Sequence, residues 1–547
     1  MRILITEDLV GEAVALLRSQ HDVDIREGLS QAELASAVGD YDALVVRSRS
    51  RVTREVLEGG RRLKLVARAG IGVDNIDLDA ATQRGVMVIN VPNGNVVAVA
   101  EHTVGLMLAL ARHIPKADAA LRAGKWAKSG LEGVEVSGKT LGIIGLGRIG
   151  AEVAKRALAF GMKVVAMDPL VSPEYAAELG VALLSLNQLL SSSDFISIHV
   201  PGTPSTRNLI GKVEFAMMKP GCRIVNCARG GIVDEGALLD ALHEGRVAGA
   251  ALDVFENEPT VDQRLICDEC IVLTPHIAGS TAESRAKIGV EVAREVLRVL
   301  QGEPPTHPVN LPAMSPREWQ ALGPYFTLAE RLAVMGTALM LGQLRAVTVE
   351  CSGPALERAL SLVSSAALRG LLARGGEETI NLVSVRSAAK LRGLTLNETY
   401  VSGGGDDNTV MLRLETTEGT VELLGDLTRG LPYVLRVNGY WLDFPLQGRL
   451  LFSEHREGPG VLGDVGMAIA ASGVNISFVQ LGRTRRGGRG LMVLGLDDAL
   501  GTESLAGLRA LPSLVWLREV ILPSDNSRNP GIADLRESSG HAIGDRV

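Results

Sequence analysis

Short apolar runs alternate with helical or turn segments through the first 280 residues of the chain. Runs of three to six apolar residues between turn signals are typical of buried parallel strands, and their alternation with helices predicts α/β units. In residues 1–95 the predicted strands lie at 3–6, 43–46, 65–67 and 86–90. A second unit has predicted strands at 141–144, 163–167, 195–200, 223–226, 248–253 and 271–273.

The segment that joins these units, VVAVAEHTVGLMLALARHI, is apolar nearly all round. Such a helix is expected to be buried, and its place in the chain predicts burial between two domains. An amphipathic helix is predicted at residues 282–301, and the proline-rich stretch GEPPTHPVNLP after it indicates a domain boundary.

The second unit opens on a glycine-rich turn between its first strand and a helix, GLGRIG. Gly145 permits a tight turn, Gly147 lets the backbone approach a pyrophosphate, and Gly150 lets the helix pack closely on the strand. The helix N-terminus then offers unpaired N–H groups to phosphates. Asp168 follows the next strand, where its carboxylate would accept hydrogen bonds from ribose hydroxyls and repel a 2′-phosphate. The pattern predicts NAD rather than NADP as cofactor.

Three residues with useful chemistry follow later strands of this unit: Arg229, Glu258 and His276. Ligands of open parallel sheets bind beyond the carboxyl ends of the strands, so these side chains are expected to face the cofactor cleft. His276 could take a hydroxyl proton, Glu258 could hold its ring, and Arg229 could bind a carboxylate. Taken singly, each is more often an ordinary loop or surface residue, and the interpretation depends on three matched strand ends in one domain.

Two strand ends of the first unit carry arginine, Arg47 and Arg68. The same topological argument places them near a cleft, where a guanidinium suits a phosphate or carboxylate. Solvated strand ends are the alternative interpretation.

The C-terminal half changes character. Residues 311–448 combine a predicted helix at 319–342 with alternating runs typical of a mixed α+β domain, without a recognisable catalytic constellation. The pattern of residues 449–523 predicts a βαββαβ unit in which the basic run RTRRGGR is a hairpin tip. Residues 524–547 are polar, with Pro and Gly, and are predicted to be disordered.

Composition and charge limit the kinds of partner, metal site and compartment that the sequence predicts. The chain has 56 basic and 63 acidic residues, a mild balance of −7 that favours neither a nucleic-acid nor a membrane partner. Five cysteines form no disulfide framework, and the CxxC of Cys267 and Cys270 has no second ligand pair, so no metal site is predicted. MRILITEDL opens as a strand without signal-peptide character, and no apolar run would span a bilayer, so a cytoplasmic protein is expected.

GLGRIG with Asp168, NCARGGIVDE, DVFENEP and PHIAGST together resemble the signatures of the D-isomer-specific 2-hydroxyacid dehydrogenases. The resemblance covers residues 1 to about 310. It implies an α/β fold in which a Rossmann-type NAD-binding domain, residues 97–284, is inserted in a flavodoxin-like substrate domain, residues 1–96 and 285–308. Intervening α+β and ACT (ferredoxin-like) domains follow at 311–448 and 449–523.

The same resemblance implies the site residues. The catalytic set falls on Arg229, Glu258 and His276. The implied substrate contacts are Arg47, Ser48, Arg68, Gly70, Arg229 and His276. The implied cofactor contacts, with Asp253 near the nicotinamide amide, are Gly145, Gly147, Arg148, Ile149, Gly150, Asp168, Val200, Cys227, Ala228, Arg229, Asp253, His276, Ala278 and Gly279.

The domain order is similar to that of the long members of this family, which use NAD to oxidise 3-phospho-D-glycerate to 3-phosphooxypyruvate at the entry to serine synthesis. It implies a homodimer or homotetramer in which ACT domains pair and bind L-serine as a feedback effector. His455 and Asn475 match positions that contact serine in relatives, whereas Glu457 stands where Asn or Asp is usual.

Two other functions are compatible with the sequence. A glyoxylate or hydroxypyruvate reductase of the same family would not need phosphate-binding arginines. A non-enzymatic NAD(H)-sensing scaffold could share both the fold and the Arg, Glu and His set, although amino-acid feedback through an ACT-like domain argues against it.

Overall fold

The computed structural model describes residues 1–126, 128–372, 380–402 and 407–523. The predicted disordered tail, residues 524–547, lies outside the described residues. The chain divides into two compact units: Met1–Val91 with Val290–Val547, and Pro92–Gly289.

The first unit begins with a five-stranded parallel sheet in the order β2-β1-β3-β4-β5. This is the flavodoxin-like order, in which the direction of winding reverses between β1 and β3. The strands are β1 (Arg2–Ile5), β2 (Asp22–Ile25), β3 (Ala43–Val46), β4 (Leu65–Arg68) and β5 (Met87–Ile89). The helices between them are α1 (Gly11–Arg18), α2 (Gln31–Ala37), α3 (Arg54–Gly59) and α4 (Leu78–Gln83).

The unit Pro92–Gly289 holds a seven-stranded parallel sheet. Its strands are β6 (Thr140–Ile144), β7 (Lys163–Met167), β8 (Ala182–Leu183), β9 (Phe195–Ile198), β10 (Cys222–Asn226), β11 (Val247–Leu252) and β12 (Ile271–Leu273). Its helices are α5 (Val96–Ala111), α6 (Ile114–Arg122), α7 (Arg148–Ala159), α8 (Pro173–Glu178), α9 (Leu186–Ser192), α10 (Lys212–Met217), α11 (Glu235–His243) and α12 (Gln263–Cys267). The order β12-β11-β10-β9-β6-β7-β8 is that of a Rossmann sheet with one added strand.

The burial predicted for α5 is present, but its source differs from the prediction. Its buried side chains, among them Val104 and Leu110, belong to the same core cluster as those of α7 and the sheet of its own unit. The nearly all-round apolar pattern thus arises because α7 covers one side of α5 and β10–β12 cover another. Among the described residues no single helix is long and apolar enough to cross a membrane, and only α5 and α6 taken together, bent by 64°, reach that length.

After α13 (Ala282–Leu300), a six-stranded sheet forms in the order β14-β13-β15-β16-β17-β18. Its strands are β13 (Leu344–Ser352), β14 (Thr395–Val401), β15 (Thr409–Thr416), β16 (Thr420–Thr428), β17 (Leu431–Val437) and β18 (Tyr440–Pro445). Its helices are α14 (Pro316–Leu339), α15 (Leu360–Leu372) and α16 (Val385–Leu391). The first of these begins three residues before its predicted start because Ser315 and Glu318 form a capping box.

The final module has the order β20-β21-β19-β22 and two helices. Its elements are β19 (Arg449–Arg456), α17 (Val461–Ala470), β20 (Ile476–Arg483), β21 (Arg489–Leu496), α18 (Thr502–Arg509) and β22 (Leu514–Ile521). Its strands, numbered within the module, run 2-3-1-4, the arrangement of a ferredoxin-like βαββαβ fold, and the basic run does form the tip of the β20–β21 hairpin. The α/β fold class expected from the sequence is therefore confirmed.

Candidate active site

The glycine-rich turn after β6 leaves its backbone open to a ligand. Gly145 has a φ of +96°, a conformation that favours glycine. A Cβ on Gly150 would lie 2.1 Å from the Gly145 carbonyl oxygen, so glycine is required for α7 to pack this closely. A Cβ on Gly147 would meet nothing within 4 Å. Because no side chain caps α7, its first N–H groups are available to a phosphate.

Asp168 stands at the carboxyl end of β7, next to this turn. One carboxylate oxygen accepts the Leu146 N–H at 2.9 Å, and the other accepts the Leu170 N–H at 2.9 Å. The carboxylate is half-buried and retains acceptor capacity, since each oxygen has two lone pairs. The open turn, the uncapped helix N-terminus and the acid after β7 fit the pyrophosphate and ribose of NAD.

His276 and Glu258 form a close pair. The distance from His276 Nδ1 to Glu258 Oε2 is 2.7 Å, and the other carboxylate oxygen accepts the Phe255 N–H at 3.0 Å. Burial raises the pKa of Glu258, but the hydrogen bonds from His276 and Phe255 outweigh it and bring that pKa below its ordinary value. With Nδ1 bonded to the Glu258 carboxylate, Nε2 is the ring nitrogen that remains for proton exchange with a ligand. The His276 side chain is 47% exposed, which makes it accessible.

The loop that carries His276 is anchored by the buried carboxylate of Asp253. Asp253 Oδ1 accepts from Thr274 Oγ1 at 2.6 Å and from the Ile277 N–H at 2.9 Å, and Oδ2 accepts from the Ala278 N–H at 2.9 Å. The Asp253 carbonyl accepts the His276 N–H at 2.8 Å. His276 itself has a φ of +53°, a costly conformation for a non-glycine residue, which these bonds stabilise.

His102 on α5 extends this anchor. Its Nε2 lies 3.1 Å from Thr274 Oγ1 and 3.5 Å from Asp253 Oδ1. Burial raises the pKa of Asp253, but the His102, Thr274 and backbone donors outweigh it, so that pKa lies below its ordinary value. Asp253 is fully buried, and the bonds of its oxygens hold the histidine loop. Its contact with the nicotinamide amide stays a prediction.

Arg229 lies in a tight turn after β10 that is shaped by Asn226. This buried amide accepts the Ala228 N–H and donates to the Arg229 carbonyl, both at 3.0 Å. Arg229 Nη1 donates to the Ala228 carbonyl at 2.7 Å. Since β10, β11 and β12 are neighbours in the sheet, Arg229, Glu258 and His276 follow three adjacent strand ends. A Cβ on Gly230 would lie 1.8 Å from the Phe255 carbonyl oxygen, so the arginine turn touches the loop that carries Glu258.

The remaining predicted cofactor positions surround these elements. Val200 Cγ1 would lie 2.9 Å from a Cβ on Gly145, and a Cβ on Gly279 would lie 2.4 Å from Asn95 Nδ2. Burial raises the pKa of Cys227 to about 12, so its thiol stays protonated. Ala278 is buried, Ala228 and Ile149 are partly buried, and Arg148 is exposed at the start of α7. Among the described residues, no cluster of His, Cys, Asp and Glu could hold a metal ion.

The predicted substrate residues of the other unit are also brought together. Val46 pairs with Arg68 across β3 and β4, so Arg47 and Arg68 lie at adjacent strand ends. Ser48 is exposed in the loop that follows Arg47. Gly70 has a φ of +152°, and a Cβ there would lie 1.4 Å from Arg68 Nη1, so the absence of a side chain lets the guanidinium fold over it.

The two predicted effector residues lie apart within one chain. His455 pairs with Gly490 at one end of β21, whereas Ile476, next to Asn475, pairs with Leu496 at the other end. The Asn475 amide donates to Asp497 Oδ2 at 2.6 Å. A single ligand could therefore contact both residues only if a second copy of the chain contributed one of them.

Glu457 takes part in the neighbouring hairpin. Its carboxylate bonds to Arg483 and to the Gly487 N–H, and the Arg483 guanidinium, together with this N–H, holds its pKa below the ordinary value. The acid whose length was unexpected in the sequence thus closes the hairpin tip.

Sequence reasoning missed the residues that position the site, namely Asn226, Thr274 and His102. Each is a polar side chain in or beside an apolar element, and that signal could have marked it. The sequence contained no indication of which partner each would bind.

Comparison with known proteins agrees with this geometry. Residues 104–278 match the family model for the NAD-binding domain of D-isomer specific 2-hydroxyacid dehydrogenases, and residues 321–436 match the D-3-phosphoglycerate dehydrogenase intervening domain. The fold and the three strand-end residues thus define an NAD-dependent dehydrogenase of the D-isomer-specific 2-hydroxyacid class.

Individual relatives indicate which family within this class the chain belongs to. The chain is 40% identical over 515 residues to the D-3-phosphoglycerate dehydrogenase of Methanocaldococcus jannaschii, a match that covers 94% of this chain and 98% of that protein. Within the class, the chain belongs to the D-3-phosphoglycerate dehydrogenase family, in its long form.

Solved structures resemble the dehydrogenase portion. The TT0316 protein of Thermus thermophilus is 38% identical with a TM-score of 0.53, and the match covers 56% of this chain and 100% of that chain. The D-lactate dehydrogenase of Aquifex aeolicus, in complex with NAD and lactic acid, is 31% identical with a TM-score of 0.51, over 55% of this chain and 96% of that chain.

The Asp253 anchor predicts a pH-dependent loss of stability in Asp253→Asn. An amide cannot accept all of these donors, so the free energy of unfolding should fall by about 2–4 kcal/mol at pH 7. The pKa of Asp253 in the folded protein lies below its ordinary value of 3.8. The stabilisation that the charged form provides is therefore complete above about pH 4, and it is lost as the pH falls through the folded-state pKa. Urea unfolding at pH 7, 5 and 3.5 measures the difference. Asp118→Asn, an exposed acid of α6, is the control, and an equal effect in both variants would contradict the assignment.

Proposed function

We propose that this chain catalyses the NAD-dependent oxidation of 3-phospho-D-glycerate to 3-phosphooxypyruvate, the first step of L-serine biosynthesis, in the cytoplasm. The observation that carries the proposal is the 2.7 Å pair of His276 and Glu258 at a strand end adjacent to that of Arg229. The substrate is the one for which the relatives are named, and the match to the intervening domain supports it.

NAD would be held by the turn Gly145–Gly150, by Asp168, and by the residues after β9, β10 and β12. The α7 N-terminus favours its phosphates, and the Asp168 carboxylate favours an unmodified ribose. When bound, NAD would supply the acceptor for the hydride that leaves C2 of the substrate. The carboxylate of Asp253, whose pKa lies below the ordinary value, is proposed as the contact for its amide group.

His276 is proposed as the general base. With Nδ1 bonded to Glu258, Nε2 is the ring nitrogen that takes the proton of the C2 hydroxyl as the C–O double bond forms. The Glu258 carboxylate stabilises the resulting imidazolium, as an adjacent carboxylate does. Arg229 binds the substrate carboxylate and polarises the forming carbonyl.

The substrate phosphate is proposed to bind Arg47 and Arg68, with Ser48 and the Gly70 backbone completing the contacts. Two guanidinium groups on adjacent strand ends suit a dianion better than the single carboxylate of glyoxylate or lactate. This assignment divides the chain into a substrate-binding domain at 1–96 and 285–308, a nucleotide-binding domain at 97–284, an intervening domain at 311–448 and an ACT domain at 449–523.

L-Serine is proposed as a feedback effector that binds between two ACT modules. His455 is almost fully buried, and Asn475 lies at the far end of the same sheet, so each site would combine His455 of one copy with Asn475 of another. This arrangement requires a homodimer or homotetramer.

Replacement of the base tests the chemistry. His276→Ala should lower kcat by about 10²–10⁴-fold, because a positioned acid–base group is lost, while NADH still binds. Initial rates of 3-phosphooxypyruvate reduction and NADH fluorescence titration measure the two effects. His113→Ala, at the start of α6, is the control for loss of an imidazole. Near-normal turnover in His276→Ala would remove this residue from its role. A wild-type chain that binds NADH but does not turn over would instead favour a non-enzymatic NAD(H)-binding protein.

Replacement of Arg47 tests the substrate. Arg47→Ala should raise the KM for 3-phospho-D-glycerate by about 10–100-fold, because charge-assisted phosphate contacts are worth about 1.5–3 kcal/mol. Reduction of hydroxypyruvate, which lacks the phosphate, should change little. Equal KM changes for both substrates would contradict the phosphate assignment, and a wild-type chain that reduces only glyoxylate or hydroxypyruvate would replace the proposed substrate.

Serine sensitivity tests the regulatory proposal separately. Millimolar L-serine should suppress 3-phosphooxypyruvate reduction, and Asn475→Ala should abolish this suppression without changing the uninhibited rate, since Asn475 lies in a separate module. D-Serine is the matched control ligand. Turnover that ignores L-serine would retain the enzyme and reject the effector site.

A further inference from the structure

The loop after β3, residues 47–50, is organised around one buried carboxylate. Glu7 follows β1, and its side chain is only 5% exposed. Its Oε1 accepts the Arg47 N–H and the Ser50 N–H, both at 2.9 Å. The Arg49 N–H lies 3.1 Å from Oε1 and 3.2 Å from Oε2, and Arg49 Nε lies 3.4 Å from Oε2. Three backbone donors from four consecutive residues thus converge on a single acid.

Asn75 and Thr6 close the other side of this loop. The Asn75 amide nitrogen donates to the Arg47 carbonyl at 2.8 Å and to the Ser50 carbonyl at 2.6 Å. Thr6 Oγ1 lies 2.8 Å from Ser50 Oγ. Both ends of the loop are therefore tied at their N–H and their C=O groups, so the backbone from which Arg47 and Ser48 project has little freedom.

Hydrogen bonds and charge compensation explain why a carboxylate at Glu7 is compatible with a neighbouring site that is predicted to bind an anion. Burial raises the pKa of Glu7, but the N–H groups of the loop outweigh it and hold that pKa below its ordinary value. These donors and the Arg49 guanidinium, which is 75% exposed, compensate the negative charge. If glutamine replaced Glu7, its side-chain NH₂ group would face the backbone N–H groups of the loop, and two hydrogen-bond donors repel each other.

We propose that Glu7 is a positioning residue that holds Arg47 and Ser48 in place to bind the phosphate of a phosphorylated 2-hydroxy acid. This inference rests on the proposed function, because it assumes that these two residues bind substrate. A displacement of about 1 Å in a positioning element is enough to weaken binding substantially. Glu7 acts through the loop and does not itself touch the substrate.

The test is the steady-state kinetics of the full chain with Glu7→Gln, which keeps the size of the side chain and removes its charge. We expect the KM for 3-phospho-D-glycerate to rise at least about tenfold, while kcat and the KM for NAD change less than about twofold. Glu12→Gln, an exposed acid in the first turn of α1, is the matched control and should match the wild type. If Glu7 had a purely structural role, its replacement would lower the fraction of active enzyme, and therefore kcat, without a selective rise in the KM for 3-phospho-D-glycerate.

A second variant keeps the proposal testable if Glu7→Gln folds poorly. In Glu7→Ala the three N–H groups are left around a cavity that a small carboxylate could enter. Added acetate should lower the KM for 3-phospho-D-glycerate back toward the wild-type value, whereas chloride at equal ionic strength should not. No rescue, or a KM unchanged in both Glu7 variants, would overturn the proposal. Failure of the proposed function is read separately, because the wild-type chain would then not turn over the phosphorylated substrate.

Discussion

The candidate active site depends on the buried carboxylate of Asp253. Isolated charge inside a protein is costly, and Asp253 is tolerated because Thr274 and two backbone N–H groups of the following loop bond to it. Those same bonds fix the loop in which His276 adopts a left-handed conformation, and only this loop places the imidazole against Glu258. The buried acid therefore sets the position of the His276 imidazole.

A second buried carboxylate holds a loop in the same way in the flavodoxin-like domain. A parallel sheet delivers successive loops to one edge, but its ladder does not determine the conformation of those loops. Acids placed just after a strand solve this problem, because a carboxylate can gather several N–H groups that would otherwise be unpaired. Asp253 does so after β11, and Glu7 does so after β1. Rigid loops of this kind are suited to hold reactive side chains within the tolerance that catalysis requires.

The C-terminal modules follow a different principle. Antiparallel pairing predominates there, and hairpins join β15 to β18. The described residues of the six-stranded sheet hold no counterpart of the Arg, Glu and His arrangement, since this stretch contains no histidine. Glu457 illustrates the change of use, since here a carboxylate stabilises a hairpin tip rather than a loop after a parallel strand.

Much of this protein was determined by local sequence. Glycine at 145 and 150 and the apolar runs of the strands are set by steric and hydrophobic preferences that act over a few positions. The α/β class, the nucleotide turn and the placement of Arg229, Glu258 and His276 after strands could therefore be predicted. Only the tertiary structure decided which residues bond to one another in these loops. Glu7 reaches loop residues 40 to 43 positions away, and Asp253 reaches across more than twenty. Pairing between such distant residues depends on how strands are ordered in a sheet, and no local pattern specifies that order. For the same reason the sheet, and not the sequence, revealed that His455 and Asn475 lie beside opposite ends of β21.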